Sequence, residues 1–248
     1  MQEMNIFITM GGLGSRFLKA GYKVPKYMIE ARGKTLFEWS MDSLVDYNQK
    51  VCRYIFVVRK EDHAREFIME KCKQYGFDFL GIQVHIVELD ALTDGQATTA
   101  MMAIPYCGEK ESIMIYNIDT YVEPGELKVD AISGEGHIPC FHADGDHWSF
   151  AKCDENGKVV EVREKVRVSD NCTLGAYYFS SASLYKQIYE EYYADGANLE
   201  KGEKYVAPLY NYMLEKDMEV TISIIDFDKV HVLGTPEELE AFLKEREQ

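Results

Sequence analysis

Residues 4–10, Met4-Asn5-Ile6-Phe7-Ile8-Thr9-Met10, lead directly into Gly11-Gly12-Leu13-Gly14-Ser15-Arg16-Phe17. A short apolar run that ends in three glycines within four positions reads as a buried strand followed by a tight loop. Such a loop brings backbone close to a ligand and turns N–H groups toward an anion. Arg16, and Lys26 after Pro25, bring fixed positive charge to the same region. Residues 1–35 hold six basic side chains (Arg16, Lys19, Lys23, Lys26, Arg32, Lys34) against Glu3 and Glu30, a balance of +4 in a chain of net charge −15. A cationic glycine loop in an acidic chain fits a polyphosphate ligand. The plainer alternative is a strand-to-helix turn whose Arg and Lys lie on a solvated face.

The spacing rules out two common phosphate loops. A P-loop needs four residues between its glycines and then Gly-Lys-Ser/Thr. The dinucleotide fingerprint needs a third glycine where Phe17 stands. A pI near 4.9 argues against nucleic acid or an anionic membrane as the main partner. No apolar run approaches the roughly 18–20 residues that span a bilayer, and the N-terminus carries no charged-then-apolar secretory pattern. The six cysteines (Cys52, Cys72, Cys107, Cys140, Cys153, Cys172) include no C-x-x-C pair, so a reduced, cytoplasmic protein is expected. His137, Cys140, His142, His147 and Cys153 crowd together, but their spacing fits no standard zinc pattern and strand alternation would separate them.

Apolar periodicity predicts strands over 6–10, 54–58, 83–88 and 113–118, alternating with helices over 35–47, 62–75 and 96–104. Thr35 with Glu38 makes a capping box. This alternation implies a parallel sheet with right-handed crossovers, and ligands then bind beyond the C-terminal strand ends, where the glycine loop and Asp119 both fall. Further on, shorter strands are expected over 138–141, 148–153, 159–162, 174–179 and 220–225. Helices are expected over 183–193, 207–216 and from Pro236 onward. Asn156-Gly157 marks a hairpin of the type whose turn matches strand twist. The expected fold is α/β, a Rossmann-like, mixed but mostly parallel sheet flanked by helices, with a small β-rich second lobe. One domain spans 1–248, residues 1–120 forming a nucleotide-binding half and 121–248 an acceptor-binding half.

The opening G-G-x-G-x-R followed by P-K resembles that of the sugar-phosphate nucleotidylyltransferases. Further along, Trp148-Ser149-Phe150, Asp154-Glu155-Asn156-Gly157, Glu164-Lys165, Gly175-Ala176-Tyr177-Tyr178-Phe179 and Gly234-Thr235-Pro236-Glu237 resemble later landmarks of that family, in order. The likeness covers nearly the whole chain and is closest to the branch assigned to capsule polysaccharide biosynthesis. It implies the nucleotide-diphospho-sugar transferase fold. It also implies transfer of a nucleoside monophosphate from a nucleoside triphosphate to a sugar phosphate or similar acceptor, with release of pyrophosphate.

In that chemistry the protein positions two anions and stabilises charge on the transferring group. Met10, Gly11, Gly12, Leu13, Gly14 and Ser15 are expected to cradle the triphosphate, with Arg16 on its outer phosphates and Lys26 near the α-phosphate. Gln96, in Asp94-Gly95-Gln96-Ala97, resembles the contact to the base, and Asn117 lies on the same rim. Lys165, with Glu164 and Gly175, resembles the grip on the acceptor. Asp119 follows an apolar strand, and a carboxylate there calls for a cation such as Mg²⁺, or Mn²⁺ in its place.

One position departs from the family pattern. Many members carry an aspartate two residues before the Gly-Thr as a second metal ligand, and this chain has Val232. Asp226, Asp228, Glu203, His231 or water are the candidate replacements. A second functional reading, a nucleotide-binding or regulatory module that has lost catalysis, follows from that change.

Overall fold

The structure, a computed structural model, describes residues 3–244 of the 248. Its first half contains β1 (Met4–Met10), α1 (Ser15–Lys19), a ribbon of β2 (Glu30–Ala31) and β3 (Lys34–Thr35), and α2 (Leu36–Asp42). Then come β4 (Val51–Arg59), α3 (Arg65–Gln74), α4 (Phe77–Leu80), β5 (Gln83–Leu89), α5 (Gln96–Met101) and β6 (Ser112–Asn117). The second half holds β7 (Thr120–Val122), β8 (Gly136–His142), β9 (Ser149–Cys153), β10 (Val159–Glu164), β11 (Asn171–Thr173) and β12 (Ala176–Phe179). It closes with α6 (Ala182–Tyr192), α7 (Leu209–Glu215), β13 (Val220–Ile225), β14 (Val230–Val232) and α8 (Pro236–Lys244).

The main sheet runs β5-β4-β1-β6-β12-β8, with β13 on the far side of β8. Strands β1, β4, β5 and β6 are mutually parallel, β12 runs antiparallel between β6 and β8, and β13 is parallel to β8. Alongside the C-terminal half of β8, the antiparallel β11, β9 and β10 extend the sheet into the smaller lobe. The mixed, mostly parallel sheet expected from the sequence is therefore the one observed.

The central strands are apolar without interruption because both faces are covered. Ile6, Ile8, Tyr54 and Phe56 pack against Phe37 and Ile68 on one face. Phe7, Ile55 and Val57 pack against Ala97, Ala100 and Tyr185 on the other. A third cluster, of Phe17, Trp39, Tyr121, Leu233, Leu239 and Phe242, seats α8 against α2 and the β7–β14 pair. Among the described residues no helix is long and apolar enough to cross a membrane.

Several local expectations are revised. The Thr35–Glu38 capping box forms with both halves present, but α2 ends at Asp42 and a separate 3₁₀ turn covers Val45–Gln49. The helix expected from residue 62 starts at Arg65, after a 3₁₀ turn at Lys60–Asp62. The strand expected over 174–179 starts only at Ala176, because Gly175, at φ +83°, turns the chain between β11 and β12. The Asn156-Gly157 hairpin exists, but only Gly157 has positive φ, so the turn is not the doubly left-handed one that Asn-Gly suggests. Instead Asp154 takes over its geometry. Its side chain accepts from the N–H of Asn156 and of Lys158, and its carbonyl accepts from Gly157 N–H. The β7–β14 pair was not anticipated, since three-residue strands carry too little periodicity to be read. His137 does not approach the cysteines as a ligand set. Its ring hydrogen-bonds the hydroxyls of Thr221 and Ser223 on β13.

Candidate active site

Strand β1 has β4 on one side and β6 on the other, so the loops leaving β1 and β6 diverge and open a crevice. The glycine loop follows β1, and Asn117-Ile118-Asp119 ends β6. Gly14 is left-handed, at φ 60° and ψ 33°, and directs the chain into α1. Lys26, placed by the extended Pro25, packs along this turn: a Cβ on Gly14 would lie 3.5 Å from Lys26 Cβ. From there Lys26 Nζ reaches Asp119 Oδ2 at 2.5 Å, with the two side chains 20% and 25% exposed. The Asp119 carbonyl accepts from Leu233 N–H at 2.8 Å, which ties this turn to the segment after β14.

A second group of contacts lies behind that pair. Gln96, at the start of α5, donates from Nε2 to Thr9 Oγ1 at 3.1 Å and to Asn117 Oδ1. Asn117 N–H donates to the Gly175 carbonyl at 3.0 Å, and a Cβ at Gly175 would overlap the Asn117 side-chain amide. Gly95, before Gln96, has the same property toward the Lys204 backbone. That close approach lets Ala97 N–H donate to the Lys204 carbonyl at 3.0 Å.

Two adjoining cavities result. The first, about 390 Å³, is lined by Met10, Gly11, Gly12 and Leu13 on one side and by Leu92–Gln96 on the other, with Lys26 and Glu203 in its wall. The second, about 240 Å³, is lined by Arg16, Trp148, Glu164, Gly175, Val232 and Glu238. Gln96, Asn117 and Asp119 line both. The arrangement suits two ligands meeting at a shared wall of two amides and one carboxylate, with Lys26 reaching that carboxylate from the first cavity.

Most of the residues singled out in the sequence converge here. Gly14 and Ser15 shape the loop but line neither cavity. Arg16 faces the second cavity rather than the first, and its guanidinium makes no hydrogen bond or ion pair among the described residues. Lys165 stands just behind the second cavity, in a left-handed conformation at φ +54°. Its Nζ donates to Tyr205 Oη at 2.8 Å and pairs with Glu164 Oε1 at 3.2 Å. Burial opposes the charge of this lysine, but Tyr205 and Glu164 outweigh it and hold its pKa above the ordinary lysine value. Glu164 is buried and also accepts from the Ser149 hydroxyl.

The proposed replacements for a second metal ligand separate clearly. Asp226 is exposed and lines neither cavity. Asp228 and His231 line a different hollow on the other side of β14, where His231 stacks on Tyr121 at 5.3 Å between ring centroids. Strand alternation explains the division, because His231 and Val232 must point to opposite faces. Of the four candidate replacements, Glu203 alone shares a cavity with Asp119. A carboxylate that the sequence reading passed over is Glu238, at the start of α8. The Cβ position of Gly234 lies 3.2 Å from Asp119 Oδ2 and 3.5 Å from Glu238 Oε2, so both oxygens border one point. Glu238 sits in the first turn of α8, three residues after Thr235, a setting in which an acid favours the helix dipole and which conceals a carboxylate directed elsewhere. Trp148 and Tyr205 were likewise not assigned to the site, because nothing in their sequence setting separates a cavity wall from core packing.

A glycine loop, a lysine–aspartate pair and two cavities thus lie together at the switch point of an α/β sheet. Comparison with solved structures specifies the family. The chain superposes on the nucleoside-diphosphate-sugar pyrophosphorylase from Vibrio cholerae RC9 with a TM-score of 0.87 and 37% identity, over 97% of this chain and 100% of that one. It therefore belongs to the nucleoside-diphosphate-sugar pyrophosphorylase family. The inositol-1-phosphate CTP transferase from T. maritima shares the fold at a TM-score of 0.74 and 16% identity, with 99% of each chain covered. No protein-family model and no curated protein sequence matches the chain.

Proposed function

We propose that the protein transfers a nucleoside monophosphate from a nucleoside triphosphate to a phosphorylated small-molecule acceptor, such as a sugar phosphate, and releases pyrophosphate. The observation that carries this reading is the Lys26–Asp119 pair, set in the wall between a glycine-loop cavity and a second, arginine-bearing cavity. An acceptor phosphate oxygen attacks the α-phosphorus. The new P–O bond forms as the bond from the α-phosphorus to the bridging oxygen breaks, and pyrophosphate carries away that electron pair. Backbone N–H groups of the glycine loop hold the triphosphate, and Lys26 meets the charge that accumulates at the α-phosphate. Arg16 offers a planar fork to phosphate from the second cavity. Gln96 and Asn117 present amides to the base, and Lys165, steadied by Glu164 and Tyr205, supplies charge toward the acceptor.

A divalent cation, Mg²⁺ or Mn²⁺, fits the donor set: Asp119 is a hard oxygen ligand, and a second carboxylate oxygen, without a partner among the described residues, borders the same point. Bound with the nucleotide, such an ion neutralises triphosphate charge. Lys26 pairs with Asp119 in the same wall. The motif likeness to the capsule branch supports a role in making capsule or other surface polysaccharide.

The test is pyrophosphate release on mixing the full chain, Mg²⁺, each of the four nucleoside triphosphates and a panel of sugar phosphates. Release that requires both substrates is the expected result. Nucleotide binding without turnover across the panel would favour the non-catalytic module that Val232 suggests.

A further inference from the structure

We propose that Glu238 supplies the second carboxylate of the divalent-cation site, in place of the one that Val232 cannot provide. The inference rests on the nucleotidyl-transfer reading above and assigns a ligand within it.

Glu238 Oε2 is shielded from solvent and, among the described residues, has no hydrogen-bond partner. An unpartnered carboxylate oxygen is expensive to hold away from water, so its position needs a reason. The chain contains an internal control for the default behaviour. At Thr35-x-x-Glu38, Glu38 folds back and accepts from Thr35 N–H at 2.8 Å, while Glu38 N–H donates to Thr35 Oγ1 at 3.3 Å. At Thr235-x-x-Glu238 only the second half forms, Glu238 N–H to Thr235 Oγ1 at 3.2 Å. The Glu238 side chain gives up the reciprocal bond, and its Oε2 comes within 3.5 Å of the Gly234 Cβ position, which Asp119 Oδ2 borders at 3.2 Å.

The placement is rigid as well as close. Leu239 and Phe242 anchor α8 in the cluster with Trp39, Tyr121 and Leu233, which fixes the face that Glu238 presents. Gly234 leaves the space between the two carboxylates free of side chain. Two carboxylates that border one point repel each other unless a cation lies near both. Lys26 Nζ is paired with that same Asp119 Oδ2 and, among the described residues, forms no ion pair with Glu238. The usual family ligand would approach from β14, and here the carboxylate comes one helical turn later, from α8.

The experiment measures nucleotide affinity in EDTA and in excess Mn²⁺, with the full-length protein and each of the four nucleoside triphosphates in turn. The ratio of the two affinities reads the cation site without any need for turnover. In Glu238→Gln the Mn²⁺-dependent gain should fall by about tenfold or more while the affinity in EDTA is kept. The double variant Val232→Asp/Glu238→Gln should recover the gain, which guards against a merely structural effect of the first substitution. A full Mn²⁺ gain in Glu238→Gln would overturn the proposal. So would equal losses with and without metal, or a defect confined to acceptor KM, which would give Glu238 to the acceptor instead. If the wild-type protein binds no nucleotide under either condition, the transfer reading itself fails, an outcome distinct from one in which Asp119→Asn loses the gain and Glu238→Gln keeps it.

Discussion

Lys26 and Asp119, 93 positions apart in sequence, meet Nζ to Oδ2 at 2.5 Å in the wall between the two cavities. In the proposed reaction this contact is an internal counter-charge that substrate binding would rearrange, since the proposed cation and the α-phosphate would compete for the same two groups. Lys26→Ala is expected to lower kcat by about a hundredfold or more, because a fixed positive charge is lost where charge develops. Both side chains retain some solvent contact, so the fold should persist with an unaltered far-UV circular dichroism spectrum. Turnover close to wild type would remove Lys26 from the mechanism.

Asp119→Asn keeps the shape of the site but removes the carboxylate that a cation needs, and it frees Lys26 from its pair. Activity should collapse, and the residual rate should no longer respond to Mg²⁺. Nucleotide affinity in EDTA should hold or rise, because Lys26 is then available to phosphate. A Mg²⁺ titration that still saturates as in the wild type would contradict the assignment of Asp119.

The glycine loop, Lys26 and Asp119 were legible in the sequence because each follows a local signal, a Gly-rich stretch after an apolar strand, a Pro-Lys pair and an acid at a strand end. The parallel core was legible for the same reason, since strands covered on both faces are apolar throughout. Glu238 and the break at Gly175 were not. Thr35-x-x-Glu38 and Thr235-x-x-Glu238 have the same spacing, and only the tertiary setting decides which glutamate caps its helix. Gly175 lies inside an apolar run that reads as one strand, and only its approach to Asn117 shows why the chain must turn there. Arg16, expected beside the glycine loop, lines the second cavity instead, because the direction taken by the short α1 leaves no trace in spacing.

Gly175→Ala tests that approach. The substitution places a Cβ at φ +83° and into the Asn117 amide, whose side chain also receives the hydrogen bond from Gln96. Strain of this kind costs about 1–3 kcal/mol, which a lowered urea midpoint would register. Displacing Asn117 should also raise the KM for the nucleoside triphosphate more than it changes kcat. An unchanged midpoint and KM would show that the loop yields without involving Asn117.

Acid stability offers a test away from the site. His137 on β8 is 1% exposed, and burial pushes its pKa down to about 4 while its ring hydrogen-bonds Thr221 and Ser223. In the unfolded chain a histidine titrates near the usual value of about 6.5. Between those two values the unfolded state binds a proton that the folded state refuses, so stability falls as pH drops through that window. Above pH 6.5 both states are neutral at this position and the effect vanishes. From pH 7 to pH 5 the loss attributable to His137 is about 2 kcal/mol. His137→Gln retains an amide for the two hydroxyls and does not titrate, so its urea-unfolding free energy should decline less over the same interval. Because the carboxylates of the acidic chain contribute equally to both proteins, the difference between the two slopes isolates the histidine, and equal slopes would refute its buried neutral state.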